Sequence, residues 1–69
     1  MNQAMYNALR MSYEAEIAEA KAILELYLSS QTTVAEHTDF IKDLREWTGR
    51  LATAEENLEV LDKHFGKAQ

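Results

Sequence analysis

Apolar residues recur along the C-terminal half of the chain at alternating steps of four and three positions. The average step of about 3.5 residues is the period of an α-helix that packs along a seam on another helix. This pattern predicts one long helix over residues 34–65 with a single apolar stripe. The stripe consists of Phe40, Leu44, Trp47, Leu51, Ala54, Leu58, Leu61 and Phe65.

A similar stripe in the N-terminal half predicts a first helix over about residues 3–29. This segment is rich in alanine, glutamate, leucine and methionine, all of which are good helix formers. Its stripe consists of Tyr6, Leu9, Tyr13, Ile17, Ala20, Leu24 and Tyr27. The tyrosine hydroxyls are expected at the edge of the stripe, where they reach water.

Residues 29–33 interrupt the apolar period with small polar side chains, which compete with helix by bonding to the backbone. The last of these residues, Thr33, begins a sequence up to Glu36 that fits a capping box, and this box marks the start of the second helix. Thr53 to Glu56 would fit a cap for a separate third helix. We predict instead that the second helix is continuous, because its stripe passes through Gly49 without a change of phase.

The end of the second helix is marked by positive charge and by glycine. Lys63 and His64 lie in its last turn, where cations suit the helix dipole. Gly66 is expected to adopt the left-handed conformation that ends many helices.

A short connection makes two long helices antiparallel neighbours, so the predicted fold is all-α, a helical hairpin in a single domain over residues 1–69. Side-chain size suggests a register in which Tyr27 meets Phe40, Ala20 lies opposite Trp47, and Tyr13 lies opposite Ala54. The predicted seam within the chain consists of Tyr13, Ile17, Ala20, Leu24, Tyr27, Phe40, Leu44, Trp47, Leu51, Ala54, Leu58 and Leu61.

The seam uses only one side of each helix and leaves other apolar positions uncovered. The first helix carries a second stripe of mostly small residues, and the second helix has a weaker flank. The candidate oligomer or partner interface is the stripe Met11, Ala15, Ala18, Ala22 and Leu26. The flank consists of Val34, Ile41, Thr48 and Ala52. Alanine is also an ordinary helix former on a solvated face, so both interpretations of the stripe stay open. Pairing of two hairpins would give a four-helix bundle or coiled-coil oligomer.

Size and charge limit the classes of function. A chain of 69 residues without cysteine has neither the area for a large core nor disulfides to support it, which favours a homodimer. Its net charge of −5 disfavours binding to nucleic acid or to anionic lipid. No apolar run is long enough to span a membrane or to serve as a signal peptide, so we expect a soluble cytoplasmic protein.

The residues give no catalytic, cofactor or metal signature, and we predict that the protein is not an enzyme. His37 and His64 lie about 40 Å apart along one helix, so a single chain does not bring them together. The expected function is a self-associating protein–protein interaction or structural module. The alternatives are an adaptor or co-chaperone completed by a different protein, and a dimeric nucleic-acid-binding regulator, which the acidic balance disfavours.

Overall fold

The chain forms two long helices that pack against each other as a hairpin. The structure, a computed structural model, describes residues 2–29 and 37–66, and the side chains of residues 37–39 are not considered. Helix α1 is Gln3–Ser29 and helix α2 is His37–Phe65. The hairpin measures 52 × 14 × 14 Å, and each helix covers on the order of 40 Å of its length at a rise of about 1.5 Å per residue. The prediction of an all-α hairpin is confirmed.

Helix α2 continues without interruption through Gly49 and Thr53, as the unbroken stripe predicts. The predicted connection beyond Ser29 and the capping box from Thr33 to Glu36 lie outside the described residues, as does Val34 of the predicted flank. Helix α1 has a cap that the sequence did not suggest. The Oδ1 atom of Asn2 accepts a hydrogen bond from the backbone N–H of Met5 at 3.1 Å, which satisfies one of the free donors of the first turn.

The predicted left-handed conformation of Gly66 is wrong, because neither described glycine has a positive φ. The N–H of Gly66 instead donates to the carbonyl oxygen of Asp62 at 2.9 Å, which extends the helical hydrogen-bond ladder by one residue. Lys63 and His64 occupy the last turn, as expected.

Small residues form the centre of the seam. The buried apolar residues are Ala20, Ala54 and Leu61, which are 0%, 2% and 8% exposed. Within the described part of the chain no large side chain is fully buried, because two helices enclose only the line along which they touch. Tyr27 and Phe40, which the register predicts as neighbours, have ring centroids 5.3 Å apart at a tilt of 59°.

The complete burial of Ala20 leads to a stability prediction. Ala20→Leu forces a larger side chain into the seam and should lower the free energy of unfolding by about 1–3 kcal/mol. Ala8→Leu is the matched control, because Ala8 is exposed on the same helix, and it should change that free energy by less than about 0.5 kcal/mol. Urea denaturation followed by circular dichroism measures both. Equal effects of the two substitutions would contradict the seam.

Candidate interaction surface

A polar cluster joins the helices at the end of the hairpin opposite the connection. Arg10 of α1 donates from Nε to Oδ1 of Asp62 at 3.1 Å and from Nη2 to Oδ2 at 3.0 Å. The hydroxyl of Tyr6 donates to Oδ1 of the same aspartate at 2.7 Å. Arg10 also pairs with Glu14 one turn along α1. Asp62 on α2 therefore accepts from two side chains of α1, one of which binds both of its oxygens.

These contacts shift the pKa values of the groups in the cluster. Hydrogen bonds from Arg10 and Tyr6 lower the pKa of Asp62, because they stabilise its charged form. The hydrogen bond to Asp62 raises the pKa of Tyr6, because the phenol must keep its proton to donate. The same carboxylate raises the pKa of Arg10, so the guanidinium stays charged. The side chains of Arg10 and Asp62 keep 37% and 36% of their surface exposed, so solvent and salt weaken the pair.

The stripe pattern alone did not identify this cluster. Arg10 and Asp62 each follow a stripe residue, Leu9 and Leu61, so they lie at the edge of the seam. The antiparallel register then places the two edge charges side by side. A search for opposite charges that follow stripe residues in antiparallel register is the signal that would have found them.

A second hydrogen bond joins the helices near the connection. The hydroxyl of Tyr27 donates to Oδ2 of Asp43 at 2.9 Å, while its ring packs on Phe40. This bond raises the pKa of Tyr27. Tyr6 and Tyr27 thus donate to carboxylates of the opposite helix, a pairing that the stripe pattern did not predict.

A groove of about 500 Å³ runs beside Trp47 in the middle of the hairpin. Arg50 lies 4.5 Å from the centroid of the Trp47 ring and donates to Glu46 at 2.8 Å, so the arginine is held by an aromatic face and a carboxylate together. Glu16 and Glu19 of α1 line the other wall. The groove is therefore acidic, and its one cation is paired within the chain.

On α2, two glutamates each have a basic residue four positions later, and one of these two pairs forms an ion pair. The pair Glu46–Arg50 forms as its spacing of four residues predicts. Glu59 and Lys63 have the same spacing, but no ion pair joins them among the residues described.

The residues of the predicted seam all lie toward the opposite helix. Ala20, Ala54 and Leu61 are buried, and the other nine predicted members are half-buried. Leu9 and Phe65, at the open end of the two stripes, are exposed at 41% and 49%. They line an apolar groove of about 420 Å³ together with Tyr13, Val60 and Leu61.

The stripe proposed as an oligomer or partner interface faces away from α2. All five of its members are exposed, and the two large ones, Met11 and Leu26, keep 65% and 69% of their surface in water. The hairpin itself covers none of this stripe, so it is available to another helix.

The two histidines do not form a site together. The ring of His64 lies beside that of Phe65, with centroids 6.4 Å apart. His37 begins α2 at the opposite end of the hairpin, and its side chain lies outside the described part. Within residues 2–29 and 37–66, no three histidine, aspartate or glutamate side chains are grouped so as to hold a metal ion.

The chain was compared with protein-family models, with curated proteins and with solved structures, and none of them matches it. Neither described helix combines the length and the apolar character needed to cross a bilayer.

The lowered pKa of Asp62 generates a pH prediction. A carboxyl whose pKa is lower in the folded state stabilises the fold above its ordinary pKa, and this contribution is lost as the pH falls through the lowered value. The melting temperature of the wild type should therefore fall as the pH is lowered from about 5 to below about 3, and Asp62→Asn should reduce this fall. Glu25→Gln is the control, because Glu25 is exposed and has no ion pair among the described residues. If both variants gave the same profile, the cluster would not contribute as described.

The packing around Gly66 generates a second prediction. A Cβ atom at this position would lie 2.6 Å from the carbonyl oxygen of Asp62 and 2.9 Å from the hydroxyl of Tyr6. Gly66→Ala should therefore lower the free energy of unfolding by about 1 kcal/mol or more. Removing the hydroxyl with Tyr6→Phe relieves one of the two clashes. In a double-mutant cycle, Gly66→Ala should cost less in the Tyr6→Phe background than in the wild type, and an unchanged cost would contradict the proposed contact.

Proposed function

We propose that this hairpin is a non-enzymatic protein–protein interaction module that self-associates through the outer surfaces of its helices. The observation that carries the proposal is the imbalance between its core and its surface. Among the residues that the structure describes, three are buried, two of them alanine, whereas eight large apolar side chains are exposed. Those eight are Met5, Leu9, Met11, Leu26, Leu28, Ile41, Val60 and Phe65.

The size of the molecule supports self-association over a solitary hairpin. Below about 70–80 residues, a single core contributes little net stability without a staple, a metal or a partner chain. The chain has no cysteine for a disulfide. A second hairpin would cover part of this exposed surface and complete a four-helix bundle, a common arrangement for paired helical hairpins.

The shape of the surface supports an interaction module over an enzyme. Sites for small substrates are usually concave and bury most of the ligand. The grooves of the hairpin lie along its sides between neighbouring turns of helix, and their charged members include the Glu46–Arg50 pair. Extended helix surfaces of this kind suit a partner that is itself a helix.

The stripe from Met11 to Leu26 supports one alternative, an adaptor completed by a different protein. Its alanines let another helix approach closely, and its large members Met11 and Leu26 stand at the two ends. In that case the isolated chain would be partly molten and would bind a hydrophobic dye. A sharp thermal transition without dye binding would exclude this alternative.

Sedimentation equilibrium tests the proposal directly. At micromolar concentration the wild type should sediment as an oligomer, with a dimer as the expected species. Its melting temperature should rise with protein concentration, because association stabilises the folded state by mass action. A fully folded monomer with a melting temperature independent of concentration would contradict self-association.

A further inference from the structure

The exposed residues of α2 form a second series with the same four-three spacing as the seam. Each member follows a seam residue by one position, which rotates the series by about 100° around the helix. The series continues to Asp62, which is half-buried and paired with Arg10, while the six members before it are exposed. We call these six exposed residues the α2 flank, and they are Ile41, Arg45, Thr48, Ala52, Glu55 and Glu59.

A groove lies along the half of the α2 flank nearer the connection. It has a volume of about 610 Å³ and is bounded by Ile41, Leu44, Arg45, Thr48 and Gly49. A Cβ atom on Gly49 would meet nothing within 4 Å, so the chain's own packing does not require a glycine at this position. A glycine inside a helix nevertheless weakens it relative to alanine. The position is therefore suited to the close approach of another molecule.

The charges of the α2 flank are separated along its length. Arg45 lies on the side of Thr48 toward the connection, and Glu55 and Glu59 lie beyond Ala52 toward the open end. Among the described residues none of these three charges has an ion-pair partner in its own chain. Their surroundings thus contrast with those of Arg10 and Arg50, both of which are paired within the hairpin.

We propose that a second copy of this chain docks on the α2 flank with the two α2 helices antiparallel. In this arrangement Arg45 of each copy faces Glu55 of the other, and Thr48 lies against Ala52 at the crossing. A two-fold axis requires such reciprocity, since residue i contacts j and residue j contacts i. A parallel arrangement would place like charges together, at a cost in stability. The proposal rests on the self-association proposed above and specifies its surface and direction.

Charge favours this side of the hairpin. The groove beside Trp47 on another side carries Glu16, Glu19 and Glu46, so two copies facing each other there would bring carboxylates together. The stripe from Met11 to Leu26 is left for another partner.

A charge exchange tests the surface and the direction together. Arg45→Glu gives a chain with two acidic positions in the contact, and Glu55→Arg gives a chain with two basic ones. Each variant alone should have a dimer dissociation constant at least about tenfold above that of the wild type at low salt. An equimolar mixture should form heterodimers, which native mass spectrometry resolves. The double variant Arg45→Glu with Glu55→Arg should return to a dissociation constant near that of the wild type.

Three further variants test whether net charge, another surface of the hairpin or the open space at Gly49 affects dimerisation. Glu19→Arg makes the same charge change as Glu55→Arg on the Trp47 groove, and Met11→Gln with Leu26→Gln alters the stripe of α1. Both should leave the dissociation constant within about threefold of the wild-type value. Gly49→Leu should keep the helical content, because the position is open in the single hairpin, and should weaken dimerisation.

The possible results distinguish a wrong docking surface from a failure of self-association itself. A wild-type dimer whose variants form heterodimers supports both. A wild-type dimer that is insensitive to exchange at positions 45 and 55, or that dissociates when Met11 and Leu26 are replaced, overturns the α2 flank and leaves self-association standing. A wild-type monomer at every concentration overturns both.

Discussion

The structure depends on the constraint that two helices share one seam. Side chains on the line of contact are enclosed, while those on either side of it are covered on one face only. The most deeply buried positions are therefore occupied by Ala20 and Ala54, and most of the aromatic and leucine members of the stripes stay half-buried. The exposed apolar residues, the polar contacts at the seam's edges and the case for association all arise from this geometry.

Polar contacts near both ends of the seam hold the helices in register. Asp62 accepts from Tyr6 and Arg10 at the open end, and Asp43 accepts from Tyr27 near the connection. An apolar stripe with a heptad period tolerates a shift of one repeat, because leucine then meets leucine. A shift would leave these carboxylates and hydroxyls without their partners. The Arg10–Asp62 pair is partly exposed, so it contributes more to the choice of register than to net stability.

The hairpin was predictable from the sequence because the period of each stripe is a property of one segment at a time. The continuity of α2 through Gly49 followed for the same reason. The contacts at the ends were not predictable, because they depend on the register to a single residue. Gly66 illustrates this difference. Rules for an isolated helix predict that Gly66 adopts a left-handed conformation. In the hairpin Gly66 instead continues the helical hydrogen bonds, and its lack of a side chain leaves room for the Tyr6 hydroxyl of the other helix. The surfaces that α1 and α2 leave exposed could be identified, but the pattern did not say what covers them.

The exposed surfaces differ in how strongly they fix the direction of a helix that docks on them. The stripe from Met11 to Leu26 has large residues at both ends and small ones between them, and it is uncharged, so it accepts a helix in either direction. The α2 flank carries a cation on one side of its small centre and anions on the other, and opposite charges attract in one direction only. An apolar surface contributes affinity without direction, whereas separated charges select an orientation and disfavour the alternatives. For this reason we assign the symmetric contact between copies to the α2 flank and the less selective contact to the stripe of α1.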